Sequence, residues 1–174
     1  MNIPSHMLIT GDGGSGKSTF FKRLWKQYAD NMLRDSSNPI PLYIELQRFT
    51  GANKEDFILQ SILSTYAPYY ADVENPIQRL KNLFAEGPYL LLLDGMNEST
   101  NPQGLMFEIG ALTQNPNLII CIATREKPQW DPFEEFREIE IPHLSEDVIQ
   151  DQLHQAGYAP AEGRLLQTLH RIIF

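Results

Sequence analysis

The sequence has a single cysteine, Cys121, set in the apolar run NLIICIATR. One thiol cannot close a disulfide within the chain, and no Cys-rich zinc framework can be assembled around it. A buried, inert thiol is the expectation. Long apolar runs are missing as well. No stretch approaches the roughly 20 residues that a membrane-spanning helix needs, and the opening residues MNIPSHMLIT lack the charged region that leads into a secretory core. A cytoplasmic location, away from membranes, follows as the expectation. Basic residues are scarce: 14 Lys and Arg stand against 22 Asp and Glu, for a formal charge of -8. Because phosphate backbones are gripped by clustered Lys and Arg, this balance sets direct nucleic-acid binding aside. Neither an internal repeat nor a low-complexity tract is present. What remains is 174 residues, 42% hydrophobic and 10% aromatic, enough for one sizeable core.

Short apolar runs alternate with segments of helical period, the pattern of a parallel sheet with crossover helices. The expected strands are Met7 to Thr10, Pro41 to Leu46, Tyr89 to Asp94, Leu118 to Ala123 and Glu138 to Ile141. Phe21, Leu24, Trp25 and Tyr28 recur at three-to-four spacing after the first strand, and Phe57, Ile58, Ser61, Ile62 and Thr65 do so after the second, as core-facing stripes. Asn75-Pro76 opens a third helix with Ile77, Leu80 and Phe84 on one face, and Gly87-Pro88 stops it. Leu105, Ile109 and Leu112 give the next crossover. Ser145, followed by Glu146 and Asp147, caps a further helix ending near Gly157, and Ala161 to Phe174 carries Leu165, Leu166, Leu169, Ile172 and Ile173. These divisions give a core over 1–144 and C-terminal helices over 145–174. An apolar helix that simply stops fits a core excised from a longer protein or a short natural protein.

The stretch GDGGSGKST, Gly11 to Thr19, follows the first strand and opens the first helix, matching G-x-x-x-x-G-K-[ST] at Gly11, Gly16, Lys17 and Ser18. Gly11, Asp12, Gly13, Gly14, Ser15, Gly16, Lys17, Ser18 and Thr19 are the candidate cradle for a triphosphate, with main-chain N–H groups from Gly13 onward turned inward at a helix start. Lys17 is expected to reach the β- and γ-phosphates and Ser18 to ligate magnesium. A glycine-rich turn that binds nothing is the structural alternative.

The run YLLLLDGMNE, Tyr89 to Glu98, ends a doubly covered strand in an acid, where parallel sheets collect ligands. Asp94 is the candidate holder of the metal or its water, and Glu98 is the candidate for orienting the attacking water, its alternative being a solvated or helix-capping residue. Arg125, closing the fourth strand after Thr124, is the candidate sensor of the γ-phosphate, its alternative an ordinary charged strand end. His6, His143, His154 and His170 show no metal-ligand spacing. Asn53 to Asp56 spells N-K-x-D, a guanine-reading pattern, but it precedes the acidic strand instead of following it; it reads better as the cap of the helix containing Phe57, and ATP is preferred to GTP.

These residues resemble the NACHT-type NTPases of the signal-transducing STAND class, a group that includes innate-immune receptors and bacterial defence proteins. The resemblance rests on GDGGSGKST, on IPLYIELQRF at Ile40 to Phe49, on LLLLDGMNE, and on Ala123-Thr124-Arg125 with the fifth strand. It implies a three-layer α/β phosphate-loop fold with a five-stranded, mainly parallel sheet of order 5-1-4-3-2. It further implies a magnesium-dependent ATP/ADP switch in a signal-transduction protein, flanked by effector and sensor domains and forming nucleotide-dependent homo-oligomers. Two departures stand out. Asn97 occupies a position where the family often carries an acid, which points to slow hydrolysis, and Thr-Arg-Glu stands where Ser-Arg-Pro is common. The competing readings are a small-molecule or nucleoside kinase, disfavoured because EKPQWDPFEEFREIE offers only Arg137 toward a basic lid, and a nucleotide-binding scaffold without turnover.

Overall fold

Four leucines in a row need apolar cover on both faces, and Leu90 to Leu93 have it: each is fully buried. Side chains alternate across a strand, so Leu91 and Leu93 enter one core cluster while Leu90 and Leu92 enter the other. The computed structural model describes residues 6–48, 56–66, 73–100, 102–129 and 133–142. Its elements are β1 (Met7–Thr10), α1 (Lys17–Arg34), β2 (Ile40–Glu45), α2 (Phe57–Tyr66), α3 (Pro76–Glu86), β3 (Tyr89–Asp94), α4 (Pro102–Thr113), β4 (Leu118–Ala123) and β5 (Arg137–Glu140), with short 3-10 turns at Leu46–Arg48 and Met96–Glu98. The helix and core boundary expected beyond 144, Asn53 to Glu55, and His143, His154 and His170 lie outside the described residues.

The strands form one sheet of order β2-β3-β4-β1-β5, every pair parallel. This is the order that the family resemblance implied, in a sheet expected to be mainly parallel and found parallel throughout. α1 covers one face through Phe21, Leu24 and Tyr28. Ile58, Leu80, Phe84, Leu105 and Ile109, from α2, α3 and α4, cover the other. Three strands coincide with their expected bounds. β2 starts one residue earlier, where the Ile40 N–H reaches the Pro88 carbonyl at 3.0 Å, and Leu46 turns away into the 3-10 turn. β5 begins at Arg137, whose N–H bonds the His6 carbonyl at 3.0 Å. Trp25 stands 37% exposed, at the rim of the α1 stripe, and on α2 Leu59 is buried while Thr65, expected on the core-facing stripe, is exposed.

The start of α2 is capped from a distance. Asp56 begins the helix through its carbonyl, which accepts the Gln60 N–H at 2.8 Å, but its carboxylate pairs with Lys81 at 3.0 Å. The helix N–H groups turn to Glu108 of α4, whose Oε1 accepts the Ile58 N–H at 2.7 Å. Burial pushes the Glu108 carboxyl up to about 7, against the pull of the α2 amide groups. Cys121 is fully buried, its thiol pushed up to about 12 by desolvation, as expected of an inert cysteine. β5 is an outer strand, and Arg137, Glu138 and Glu140 on it are exposed. Among the described residues no helix is long and apolar enough to cross a membrane.

Parallel pairing brings all the strand ends to one edge. Glu45, Asp94, Ala123, Ile9 and Ile139 lie in a single register row. The loop after β1 and the exits of β3 and β4 therefore open side by side, the arrangement in which ligands bind to open α/β sheets.

Candidate functional site

Between β1 and α1 the chain turns through Gly11 to Gly16. Gly11 holds φ +147, and a Cβ there would meet the Ile141 carbonyl oxygen at 2.5 Å and Ser15 Oγ at 2.9 Å. The residue must therefore be glycine if the loop is to lie this close to the chain leaving β5. Gly16 is the N-cap of α1 with no side-chain cap, so the first amide groups of an 18-residue helix remain for an anion. An added Cβ at Gly16 would meet nothing within 4 Å. Ser15 is buried, its N–H closing a turn onto the Asp12 carbonyl at 3.2 Å, while Ser18 and Thr19 stand exposed on the first helical turn.

The Lys17 ammonium donates to the Gly11 carbonyl, to the Asp12 carbonyl at 2.7 Å and to Ser15 Oγ at 3.4 Å. Its pKa is lowered, chiefly by burial and then by the Arg125 guanidinium, while Asp94, Asp12 and Glu98 pull it upward. Groups far apart in sequence thus share one electrostatic neighbourhood. The Asp94 carboxylate is near enough to the Lys17 ammonium to pull its pKa upward.

Asp94 ends β3 almost buried, at 8% exposure, and its Oδ2 accepts a hydrogen bond from the Tyr43 hydroxyl at 2.7 Å. A buried carboxylate needs such a partner. After it the chain turns at Gly95 and enters the Met96–Glu98 turn, closed by the Glu98 N–H on the Gly95 carbonyl at 2.9 Å. This folds the exposed Glu98 carboxylate back, so that a Cβ on Gly95 would lie 3.4 Å from its Oε2. Arg125 follows β4, and its guanidinium passes the phosphate loop within 3.9 Å of where a Gly13 side chain would begin. The backbone of Arg125 is anchored by Asn97, whose Oδ1 accepts the Arg125 N–H at 3.1 Å. A cavity of about 490 Å³ opens beside Arg125 and Asn97, walled by Met96, Pro102, Met106 and Pro128 among others.

Lys17, Asp94, Glu98 and Arg125, chosen from the sequence, therefore converge on one edge of the sheet. Tyr43 and the anchoring role of Asn97 were not read from the sequence. The available signal was a tyrosine in the strand IPLYIE, because a largely buried phenol seeks a hydrogen-bond partner. His6 takes a structural place instead, its Nδ1 accepting the Ile120 N–H at 3.1 Å and its ring stacked on Phe136.

The site suits a hard cation carried by a polyphosphate. Asp94 and Ser18 offer oxygen donors, as magnesium prefers. Among the described residues no group of three or more His, Cys, Asp or Glu could hold a metal by itself. Such an ion would complete its shell with phosphate oxygens and water.

The profile described as NACHT domain matches residues 5–157. No curated protein matches the chain. Among solved structures, the Aeropyrum pernix ORC1 protein in complex with DNA superposes with a TM-score of 0.60 at 14% identity, over 88% of this chain and 44% of that one. Drosophila ORC bound to DNA does so with a TM-score of 0.57 at 14% identity, over 96% of this chain and 44% of that one. The chain thus spans less than half the length of either, and at this identity the likeness is one of fold: the phosphate-loop NTPase class.

Proposed function

The chain belongs to the NACHT domain family, and from that membership we propose that it is a magnesium-dependent ATP switch with slow hydrolysis. The observation that carries the reading is the meeting of Lys17, Asp94, Glu98 and Arg125 at an uncapped helix start. In this reading the amide groups from Gly13 to Thr19 hold the β- and γ-phosphates, and Lys17 leaves the loop carbonyls to neutralise them. Ser18 and Asp94 hold the magnesium ion, which when bound neutralises charge developing on the phosphate oxygens. Glu98 orients water for in-line attack on the γ-phosphate, and Arg125, lying over Gly13, distinguishes ATP from ADP. Asn97 commits its oxygen to the Arg125 N–H and brings no carboxylate, which supports slow turnover. Family membership also supports a place in a cytoplasmic signalling or defence protein, between effector and sensor domains, with nucleotide-dependent assembly of copies.

A thermal-shift series with ATP, GTP, ADP and a non-hydrolysable ATP analogue, with and without magnesium, tests this. A ligand selective for the folded state must raise its melting temperature. ATP with magnesium is expected to protect, and Lys17→Ala is expected to abolish that protection. Protection by GTP alone, or unchanged ATP protection in Lys17→Ala, would overturn the reading.

A further inference from the structure

Asp94 does not meet the site with both oxygens free. β2 alternates so that Leu42 and Ile44 face the core beneath α2, α3 and α4, while Tyr43 faces the α1 side. Tyr43 is in register with Leu92, two residues short of Asp94, and its ring spans that gap to place the hydroxyl 2.7 Å from Oδ2. That is a short hydrogen bond to an acidic oxygen, among the stronger kinds. Tyr43 is itself held. β2 is an outer strand of the sheet, and the Tyr43 N–H and carbonyl both reach the Tyr66 hydroxyl, at 2.8 and 3.2 Å. Tyr66 is the last residue of α2 and also hydrogen-bonds Trp25 of α1. A continuous set of contacts therefore runs from the two helices, through the backbone and then the ring of Tyr43, to one oxygen of the carboxylate.

We propose that Tyr43 is a positioning residue for the metal-binding carboxylate: by engaging Oδ2 of Asp94 it fixes the side chain so that Oδ1 faces the metal, with Tyr66 as its brace. This rests on the reading of the site as a magnesium–ATP site. An unbraced carboxylate can rotate between orientations, and only one of them serves the ion; groups that orient metal ligands typically contribute 10–100-fold to metal affinity. The hydrogen bonds described for the phosphate loop run among Gly11, Asp12, Ser15, Gly16, Lys17 and Phe20, whereas the Tyr43 hydroxyl bonds Asp94. Its loss should therefore separate metal dependence from nucleotide dependence, a split that a merely structural tyrosine would not produce.

The experiment is calorimetric titration of a non-hydrolysable ATP analogue at graded magnesium concentrations and in EDTA, for the wild type, Tyr43→Phe and Tyr66→Phe. Tyr43→Phe keeps the ring and its packing. It is expected to raise the magnesium concentration for half-maximal binding about 10-fold or more, leaving affinity in EDTA within about 2-fold. Tyr66→Phe is expected to move the midpoint in the same direction by less. A wild-type magnesium midpoint in Tyr43→Phe, or equal weakening with and without metal, would overturn the proposal. Should Tyr43→Phe fail to fold, Tyr66→Phe decides, since it leaves the Tyr43 hydroxyl in place: a shifted midpoint supports the brace and an unchanged one refutes it. Magnesium-independent binding by the wild type would instead remove the underlying ATP–magnesium reading, and the positioning role with it.

Discussion

Gly11→Ala is the sharpest single perturbation of the phosphate loop. Two costs add at this position. At φ +147 an L side chain is rarely accommodated, a strain of roughly 1–3 kcal/mol. The new methyl would also stand 2.5 Å from the Ile141 carbonyl oxygen. Ser15 Oγ, the other close atom, can rotate away, but the Ile141 carbonyl belongs to a backbone whose N–H is fixed on the Thr10 carbonyl at 2.8 Å. Overpacking against such a fixed group costs roughly 1–3 kcal/mol more. The sum, about 2–6 kcal/mol, corresponds to a fall in melting temperature of roughly 5–20 °C for a chain of this length. Gly16→Ala is the matched control. It carries φ +93 with nothing within 4 Å, so only strain of about 1–2 kcal/mol applies. Urea and thermal unfolding of both variants without nucleotide would check the difference. If the two lose equal stability, or if Gly11→Ala loses less than about 1 kcal/mol, the close approach of loop and β5 exit is not real and the reasoning fails.

Two further outcomes concern pH. Burial lowers the pKa of His6 below its ordinary 6.5, so the unfolded chain takes up the proton first and stability should fall as pH drops below about 6.5; unfolding midpoints at pH 7 and 5 should differ less in His6→Gln than in the wild type. Glu108 behaves oppositely. Its carboxyl is raised from 4.5 to about 7, so its contribution is present in acid and lost as pH rises through about 7. Glu108→Gln, which keeps an acceptor for the Ile58 N–H, should remove a loss on the order of 1 kcal/mol between pH 6 and 8, a figure reduced for partial exposure.

How much of this could be read beforehand depended on whether the signal was local. The Gly11 to Thr19 loop carries its spacing within nine residues, and the leucine run states its double burial in its own composition. β1, β3 and β4 were accordingly legible to the residue. The contacts that sequence reading missed join positions far apart: Tyr43 to Asp94 across 51 residues, Ile58 to Glu108 across 50, Arg125 to Asn97 across 28. No periodicity announces such a pair. Asp56 shows the same limit from the other side: an acid just before a helix reads as its cap, yet a lysine from α3 claims it and a glutamate from α4 takes its place. Asn97, conspicuous only as a missing acid, gained a task once the exits of β3 and β4 were seen together.

The two outer borders of the sheet are guarded by different means. Beside β5, a strand from another molecule would encounter the exposed charges of Arg137, Glu138 and Glu140; beside β2, it would find the amide and carbonyl of Tyr43 already claimed by a phenol from α2. Unsatisfied rims invite foreign strands and, through them, fibrous aggregates. Among the described residues, both borders are therefore poor templates for a sixth strand contributed by another copy.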